Sequence, residues 1–478
     1  MTKKTFLTLA AAVTLAAPSA LDAQAGVVRP VPRPQLLMRI NSDFEVMGIV
    51  HWGLNTFTDR EWGFGNENPA DLAPTDFDAD QIVGACRDGG LQGLVIVAKH
   101  HDGFCLWPTK TTAHNITKAV GFRGGKGDYV REMERACRKA GLKFGIYVSP
   151  WDRNNADYGR AAYADGVYQM QVKELLGGAY GDVFELWCDG ANGGTGWYGG
   201  VAGEKGERRR IGKDYYHFDD LFAWARSAQP DLCVFHSEDD GSDLRYPGNE
   251  SGRLDPDCRA TSQLVGGFAG GVYGNPNYPK QANRGDVNGE RFRMVEADLP
   301  LRPGWFYHAK ERGRVKHAAY LLKLYLGTVG NGGILNLGIA PDRRGRLDDE
   351  DVRALKGFKA LRDAFFAKEV TDGAPFNVVV LSEDVSRGEQ VDGWEFLADG
   401  KALLAGKAIG SKRIRVLDAP VSASACELKV TAAGPALGKT SVRRYFADPE
   451  LVKLVRSATT DSGETETFKW MTGQQPVP

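Results

Sequence analysis

The chain has 478 residues, of which 42% are hydrophobic and 25% are charged, a composition typical of an ordinary soluble globular protein. Single hydrophobic cores stop growing below this length, so we expect two domains. The 60 basic and 61 acidic residues give a formal net charge of -1, and the absence of a long basic run argues against a nucleic-acid or anionic-membrane surface. The expected partner is therefore neutral.

The first 25 residues have the pattern of a secretory signal peptide. Lys3 and Lys4 precede the apolar run FLTLAAAVTLAA, and residues 23–25 (AQA) fit a small-x-small cleavage site. The run is too short to span a bilayer comfortably, and no second candidate span follows it. We therefore expect a secreted protein that begins near Gly26, with a bacterial periplasm as its destination and the cell exterior or a eukaryotic secretory route as alternatives.

Helical patterns then alternate with short apolar runs. Each helical pattern ends at Gly or at the pair Gln229-Pro230, where the next run begins. The pairs are DADQIVGACRDGG with LQGLVIVAK, DYVREMERACRKAG with LKFGIYV, YQMQVKELLGG with GDVFELW, and YHFDDLFAWARSAQ with DLCVF. Such units predict an α/β fold, a (β/α)8-type (TIM-like) barrel over residues 26–370. A doubly wound open sheet is the alternative, but no strand opens into a GxGxxG loop.

The pattern changes near residue 370. The short runs NVVVLS, ALLAGKAI, RIRVLDA and CELKVTA, separated by turns, predict a β-sandwich domain over residues 371–478. No aromatic cluster stands out after residue 373, so we expect this domain to brace the barrel. Within the barrel, the charged, glycine-rich stretch 196–213 is predicted to be an inserted loop at the rim of a site.

Polar and aromatic residues follow several predicted strands. In a barrel these positions share the carboxyl face, where active sites are built. Imidazoles and carboxylates form hydrogen bonds with hydroxyl groups, and the faces of tryptophan rings pack against the apolar side of a pyranose. The combination therefore predicts a sugar pocket. The residues are His51 and Trp52; His100, His101 and Asp102; Tyr147, Trp151 and Asp152; Trp187 and Asp189; and His236 and Glu238.

Each of these residues also has a purely structural interpretation. A single histidine after a strand is more often a capping or packing residue than a ligand, and Trp187 alone would be a core residue. The pair His100-His101 suggests a metal, but neighbours on a strand point to opposite faces and cannot easily hold one ion. Seven cysteines without a CxxC pair argue against a thiolate zinc site or a disulfide framework. We therefore predict no metal and no cofactor.

Six stretches stand out, in order, between about residues 47 and 347: HWGLNTF, REWGFG, KHHDGFCLWPT, GIYVSPWD, ELWCDGANG and NGGILNLGIAPDRRGRL. Together they resemble motifs of glycoside hydrolase family 29, the retaining α-L-fucosidases. Because six motifs match rather than one, the resemblance is specific. It implies a retaining exo-α-L-fucosidase that removes terminal fucose from a fucosylated oligosaccharide or glycoconjugate.

The resemblance also assigns residues. It implies that Asp189 is the nucleophile. The stretch RYPGNESG resembles the acid/base segment of the α1,3/α1,4-preferring branch, which assigns Glu250, although Tyr246 and Pro247 depart from that segment. The stretch EADLPLRPGWFYH resembles a second segment of this branch, in which Trp305 lines the pocket. The implied fucose-binding residues are His51, Glu61, Trp62, His100, His101, Tyr147 and Trp187.

A retaining mechanism needs one ionised and one protonated carboxyl about 5 to 5.5 Å apart. Asp189 at a strand end suits the first role, and burial against aromatic side chains would raise the pKa of Glu250 for the second. Glu238 and Glu296 are alternatives for the acid/base. Two other functions stay open: a secreted carbohydrate-binding protein on an inactive hydrolase scaffold, and another retaining exo-glycosidase such as an α-galactosidase.

Overall fold

The computed structural model describes residues 28–190, 209, 211, 212, 214–236, 241–263 and 278–460. The predicted signal peptide, most of the predicted rim loop and Glu238 lie outside the described residues. Within these ranges, no helix combines the length and the apolar character needed to cross a membrane.

Eight parallel strands close into a barrel. The strands are β1 Val46–Val50, β2 Gly93–Lys99, β3 Lys143–Val148, β4 Glu185–Trp187, β5 Cys233–Phe235, β6 Leu244–Arg245, β7 Met294–Pro300 and β8 Ile334–Ile339. Their order around the barrel is β1-β8-β7-β6-β5-β4-β3-β2, and the register Val46↔Leu335 joins β1 to β8 and closes the sheet. The predicted TIM-like barrel is therefore confirmed, and the open doubly wound sheet is excluded.

Capping residues mark the ends of several helices. Asp78 and Asp128 accept hydrogen bonds from the backbone N–H groups of Gln81 and Arg131, which satisfies free donors at two helix starts. Gly141 ends one of these helices in the left-handed region, with φ of 75°. The α-helices are Pro34–Asn41, Leu54–Thr58, Ala79–Asp88, Tyr129–Ala140, Ala161–Tyr163, Gln169–Leu176, Phe218–Ala228, Tyr278–Arg284, Ala318–Thr328, Asp349–Phe365 and Pro449–Ser457.

After the barrel, two three-stranded antiparallel sheets form the predicted β-sandwich. Phe376, Trp394 and Phe396 are buried in its core. The strands are β9 Phe376–Glu383, β10 Val391–Ala398, β11 Lys401–Gly406, β12 Arg413–Val421, β13 Cys426–Ala433 and β14 Thr440–Tyr445. They are ordered β12-β9-β14 in one sheet and β11-β10-β13 in the other.

Arginines connect the sandwich to the barrel. Arg259 donates to the carbonyl oxygens of Val391 at 3.1 Å and of Lys407 at 3.0 Å. Arg413, which is fully buried, donates to the carbonyl oxygen of Cys258. These contacts fit the bracing role that the sequence suggested. The domain limits themselves stay predictions.

Candidate active site

A cavity of about 210 Å³ lies at the carboxyl ends of the barrel strands. It is smaller than the pockets that hold drug-sized ligands, and its size suits a single sugar ring. Apart from Glu61, every residue to which the family resemblance gives a role in the site lines this cavity. These residues are His51, Trp62, His100, His101, Tyr147, Trp187, Asp189, Glu250 and Trp305.

Asp189 follows β4, two residues beyond the end of that strand. Its Oδ2 atom accepts a hydrogen bond from the Tyr147 hydroxyl at 2.8 Å and lies 3.7 Å from Nε2 of His101. Because 24% of its side chain is exposed, the carboxylate faces the cavity without being fully desolvated. The tyrosine holds it in one orientation, as in-line attack on a bound group requires.

Three buried imidazoles lie beside this carboxylate. Burial lowers the pKa of His51 to about 3 and the pKa of His101 to about 4, although the charge of Asp189 partly counteracts the second shift. Burial also lowers the pKa of His100 well below its usual range. All three rings are therefore neutral near pH 7, and each can serve as one hydrogen-bond donor and one acceptor.

Neighbouring side chains assign the tautomers of two of these rings. The Ser149 hydroxyl donates to the carbonyl of Trp151 at 3.0 Å, so it accepts from Nδ1 of His101 at 2.7 Å and leaves Nε2 of that ring unprotonated. Asn55 Nδ2 donates to Nδ1 of His100 at 3.4 Å, which leaves the proton of that ring on Nε2. The pair therefore offers one acceptor and one donor, a combination suited to sugar hydroxyl groups.

The expectation that His100 and His101 point to opposite faces is wrong. Their ring centroids are 4.1 Å apart, and both rings line the cavity. The alternation of side chains ends with β2 at Lys99, and the two histidines follow in a turn. Among the described residues, no group of three His, Cys, Asp or Glu side chains could hold a metal ion.

One wall of the cavity is an aromatic stack. The Trp187 ring lies parallel to Phe235, with centroids 4.0 Å apart and an interplanar angle of 7°, and it stacks on Tyr147 at 5.2 Å. Its indole N–H donates to Glu296 Oε1 at 3.0 Å, and Asn336 donates to the same oxygen at 2.8 Å. Glu296 is fully buried and does not line the cavity, so it is poorly placed for the acid/base role.

Glu250 lies in the segment that follows β6, at the exposed mouth of the cavity. The indole N–H of Trp305 donates to its Oε2 atom at 3.3 Å. The surrounding protein desolvates the carboxyl and raises its pKa, and the charges of Asp189 and Glu61 act in the same direction, whereas the indole hydrogen bond opposes them. Glu250 thus has the environment of a general acid.

Glu61 lies behind the cavity wall and fixes the segment that carries Trp305. Its carboxylate accepts from the backbone N–H of Trp305 at 2.8 Å and of Phe306 at 3.1 Å. It also lies 2.7 Å from Nε2 of His308, whose Nδ1 lies 2.7 Å from Asp59. Burial opposes the protonation of His308, but these two carboxylates outweigh it and raise its pKa. A direct contact between Glu61 and the sugar stays a prediction.

Among the described residues, the other strand-end positions noted in the sequence do not line the cavity. Trp52 is a core residue whose indole N–H donates to the carbonyl of Asp342, and His236 packs on Phe218. Trp151 supports the ring of His101 from behind. The remaining two, Asp102 and Asp152, are also buried.

Asp298 on β7 is a polar residue of the cavity that was not predicted from the sequence. The available signal was the spacing of Glu296 and Asp298, since acidic residues two apart in an otherwise apolar strand share one face. In a closed barrel that face is the interior, where an unpaired carboxyl needs a partner or a function. Ile49 and Phe235 add apolar surface, and Tyr246 lies at the same cavity.

Known proteins resemble this chain over most of its length. The alpha-L-fucosidase family model matches residues 43–239. Alpha-L-fucosidase 1 of Arabidopsis thaliana is 32% identical over 373 residues, which are 77% of this chain and 69% of that protein. The putative alpha-L-fucosidase 1 of Oryza sativa subsp. japonica is 36% identical over 349 residues, which are 73% of this chain and 62% of that protein.

A solved structure resembles this chain in both fold and sequence. A glycoside hydrolase 29 family member from an unknown rumen bacterium superposes with a TM-score of 0.79 and 31% sequence identity. The match covers 88% of this chain and 78% of that one. The chain is therefore a glycoside hydrolase that belongs to the α-L-fucosidase family, glycoside hydrolase family 29.

Proposed function

We propose that this glycoside hydrolase is a retaining exo-α-L-fucosidase in which Asp189 is the nucleophile and Glu250 is the acid/base. The observation that carries the proposal is the pairing of two carboxyls with different environments in one cavity of monosaccharide size. Asp189 is oriented by the Tyr147 hydroxyl at 2.8 Å. Glu250 has a raised pKa and lies at the mouth, where a leaving group would depart. Such a division of roles suits a double displacement.

The first step forms a bond between an Asp189 oxygen and the anomeric carbon. The glycosidic C–O bond breaks, and Glu250 gives its proton to the departing oxygen. In the second step Glu250, now ionised, takes a proton from water, which attacks the anomeric carbon and releases Asp189. The neutral rings of His51, His100 and His101 hold the hydroxyl groups of the sugar throughout, because they stay uncharged as the carboxyls change state.

The experiment that tests this function follows an aryl α-L-fucoside by proton NMR. We expect release of fucose, with the α-anomer as the first product, because two displacements restore the configuration. A first-formed β-anomer would contradict the retaining mechanism. Fucose binding without turnover would indicate a binding protein on an inactive scaffold, and faster cleavage of an aryl α-galactoside would indicate a different exo-glycosidase.

The contact between Trp305 and Glu250 predicts a pH effect. Trp305→Phe removes the indole N–H that favours the ionised form of Glu250, so the pKa of this carboxyl should rise. A general acid acts only while protonated, so kcat/KM falls as the pH rises through this pKa. The basic limb of the pH profile should therefore move to higher pH.

The matched comparison is Trp62→Phe, which changes a second tryptophan of the same cavity. The pKa shift of Glu250 includes no contribution from Trp62, so this variant should keep the basic limb in place. The measurement is kcat/KM for a fucosyl oligosaccharide across the pH range, normalised within each variant. Identical limbs in both variants would show that the indole of Trp305 does not control Glu250.

We further propose a preference for α1,3- and α1,4-linked fucose. The support is the likeness of RYPGNESG and EADLPLRPGWFYH to the branch with that preference, together with the place of Tyr246 and Trp305 at the cavity. Contacts with the rest of the glycan accelerate cleavage of the matching linkage. A Lewis-type trisaccharide should therefore be cleaved about tenfold or more faster than 2-linked fucosyl lactose. Faster cleavage of the 2-linked substrate would reject this branch assignment.

A further inference from the structure

Asp298 is a third carboxyl of the cavity, and the two-carboxyl mechanism does not use it. Only 4% of the residue is exposed, yet it lines the cavity together with Asp189 and Glu250. Its Oδ1 atom is buried and has no hydrogen-bond partner among the residues that the structure describes. A buried polar oxygen without a partner carries a desolvation cost that a bound ligand can remove.

The strand that carries Asp298 explains its position. Side chains two residues apart in β7 share a face, so Glu296 and Asp298 both point into the barrel. Glu296 is the deeper of the two, and one of its oxygens accepts from Trp187 and Asn336. Asp298 lies one layer nearer the opening, at the cavity itself. The strand therefore contributes one carboxyl that supports the wall and one that is available to a ligand.

The surroundings of Asp298 determine its charge. Burial raises the pKa of its carboxyl well above the usual range, and the charges of Glu250 and Asp189 add to this shift. The backbone N–H of Asp298 opposes this shift, and no cation among the described residues contributes to it. This environment favours the protonated carboxyl, which has one O–H donor and one oxygen that can accept.

We propose that Asp298 is a further substrate-binding residue, which exchanges hydrogen bonds with a hydroxyl group of the sugar held between Asp189 and Glu250. A hydroxyl group can donate one hydrogen bond and accept others, so it matches both atoms of a carboxylic acid. The interaction adds no charge beside the nucleophile. This inference rests on the proposed function, since the bound sugar is the fucose of the substrate.

Two substitutions at this position test the inference. Asp298→Ala removes both hydrogen-bonding atoms, and kcat/KM for an aryl α-L-fucoside should fall by about 10² to 10³, the usual effect of losing one well-placed donor. Asp298→Asn keeps a donor and an acceptor in the same shape and removes no charge. This variant should stay within about tenfold of the wild type, with both limbs of its pH profile unmoved.

The result that overturns the inference is an alanine variant within about threefold of the wild type. The inference would also be overturned if the basic limb of the pH profile moved in Asp298→Asn, because Asp298 would then be charged and act on Glu250. Asp128→Ala is the control for lost stability. It removes the cap of the helix that begins at Tyr129, and neither residue lines the cavity, so the melting temperature should fall while kcat/KM is kept. Should Asp298→Ala not fold, the comparison of wild type with Asp298→Asn still decides the charge state.

The wild-type enzyme separates this inference from the proposed function. Absence of fucose release by the wild type rejects the proposed function. Wild-type turnover with an unimpaired alanine variant rejects only the role of Asp298.

Discussion

Asp189→Asn is expected to lower kcat for an aryl α-L-fucoside by about four to six orders of magnitude. The amide keeps the shape of the side chain and can still accept from the Tyr147 hydroxyl, but it cannot form a stable bond to the anomeric carbon. The neutral imidazoles that hold the sugar are unchanged. Fucose binding, measured by calorimetry, should therefore largely survive, and turnover near the wild-type rate would remove Asp189 from the mechanism.

The chain offers a matched control at the other end of the same strand. Asp182 is exposed near the opposite end of β4, three residues before Glu185, so Asp182→Asn makes the same chemical change away from the cavity. Its kcat should stay within about twofold of the wild type. A second variant, Asp189→Gly, leaves room for azide on the face from which the carboxylate would attack. Azide should then yield β-fucosyl azide, the product of a single displacement.

The barrel could be predicted because its signals are local. The four helical patterns named from the sequence end at a glycine or at Gln229-Pro230, and a short apolar run follows each of them, so the sequence itself shows the alternation. The sandwich was predicted less completely. Strands β10 and β14, residues 391–398 and 440–445, were not identified. Much of each strand is only partly buried, and β14 contains Arg443 and Arg444, so neither forms a continuous apolar run.

The cavity could be predicted in outline, since carboxyl ends of parallel strands meet on one face of a barrel. What the sequence could not give was the path of the chain beyond each strand. His100 and His101 share the cavity only because β2 ends at Lys99 and a turn follows. In the same way, Glu61 reaches the backbone of Trp305 from a loop 244 residues away in the sequence. Such contacts depend on tertiary structure, which no local pattern encodes.

Glu250→Ala should show a defect that depends on the leaving group. Protonation matters when a sugar alkoxide departs and matters little when a nitrophenolate departs, because the second anion is already stable. We therefore expect kcat/KM to fall by about 10² to 10⁴ on a fucosyl oligosaccharide and much less in the first step with a 4-nitrophenyl fucoside. The measurement is kcat/KM for each substrate, with Glu296→Ala and Glu238→Ala as the comparison variants.

Glu296→Ala removes the acceptor of the Trp187 indole and should impair both substrates alike, since Glu296 is buried below the cavity. Glu250→Ala should also hydrolyse its covalent intermediate slowly, because the same carboxyl activates water. Azide needs no base, so it should speed turnover and give α-fucosyl azide, the opposite anomer to that expected from Asp189→Gly. The two azide products thus assign the two carboxyls independently. One result would move the acid/base role to another residue. In that result Glu250→Ala loses equal activity on both substrates and shows no azide effect, whereas Glu238→Ala or Glu296→Ala shows the leaving-group dependence and the azide effect.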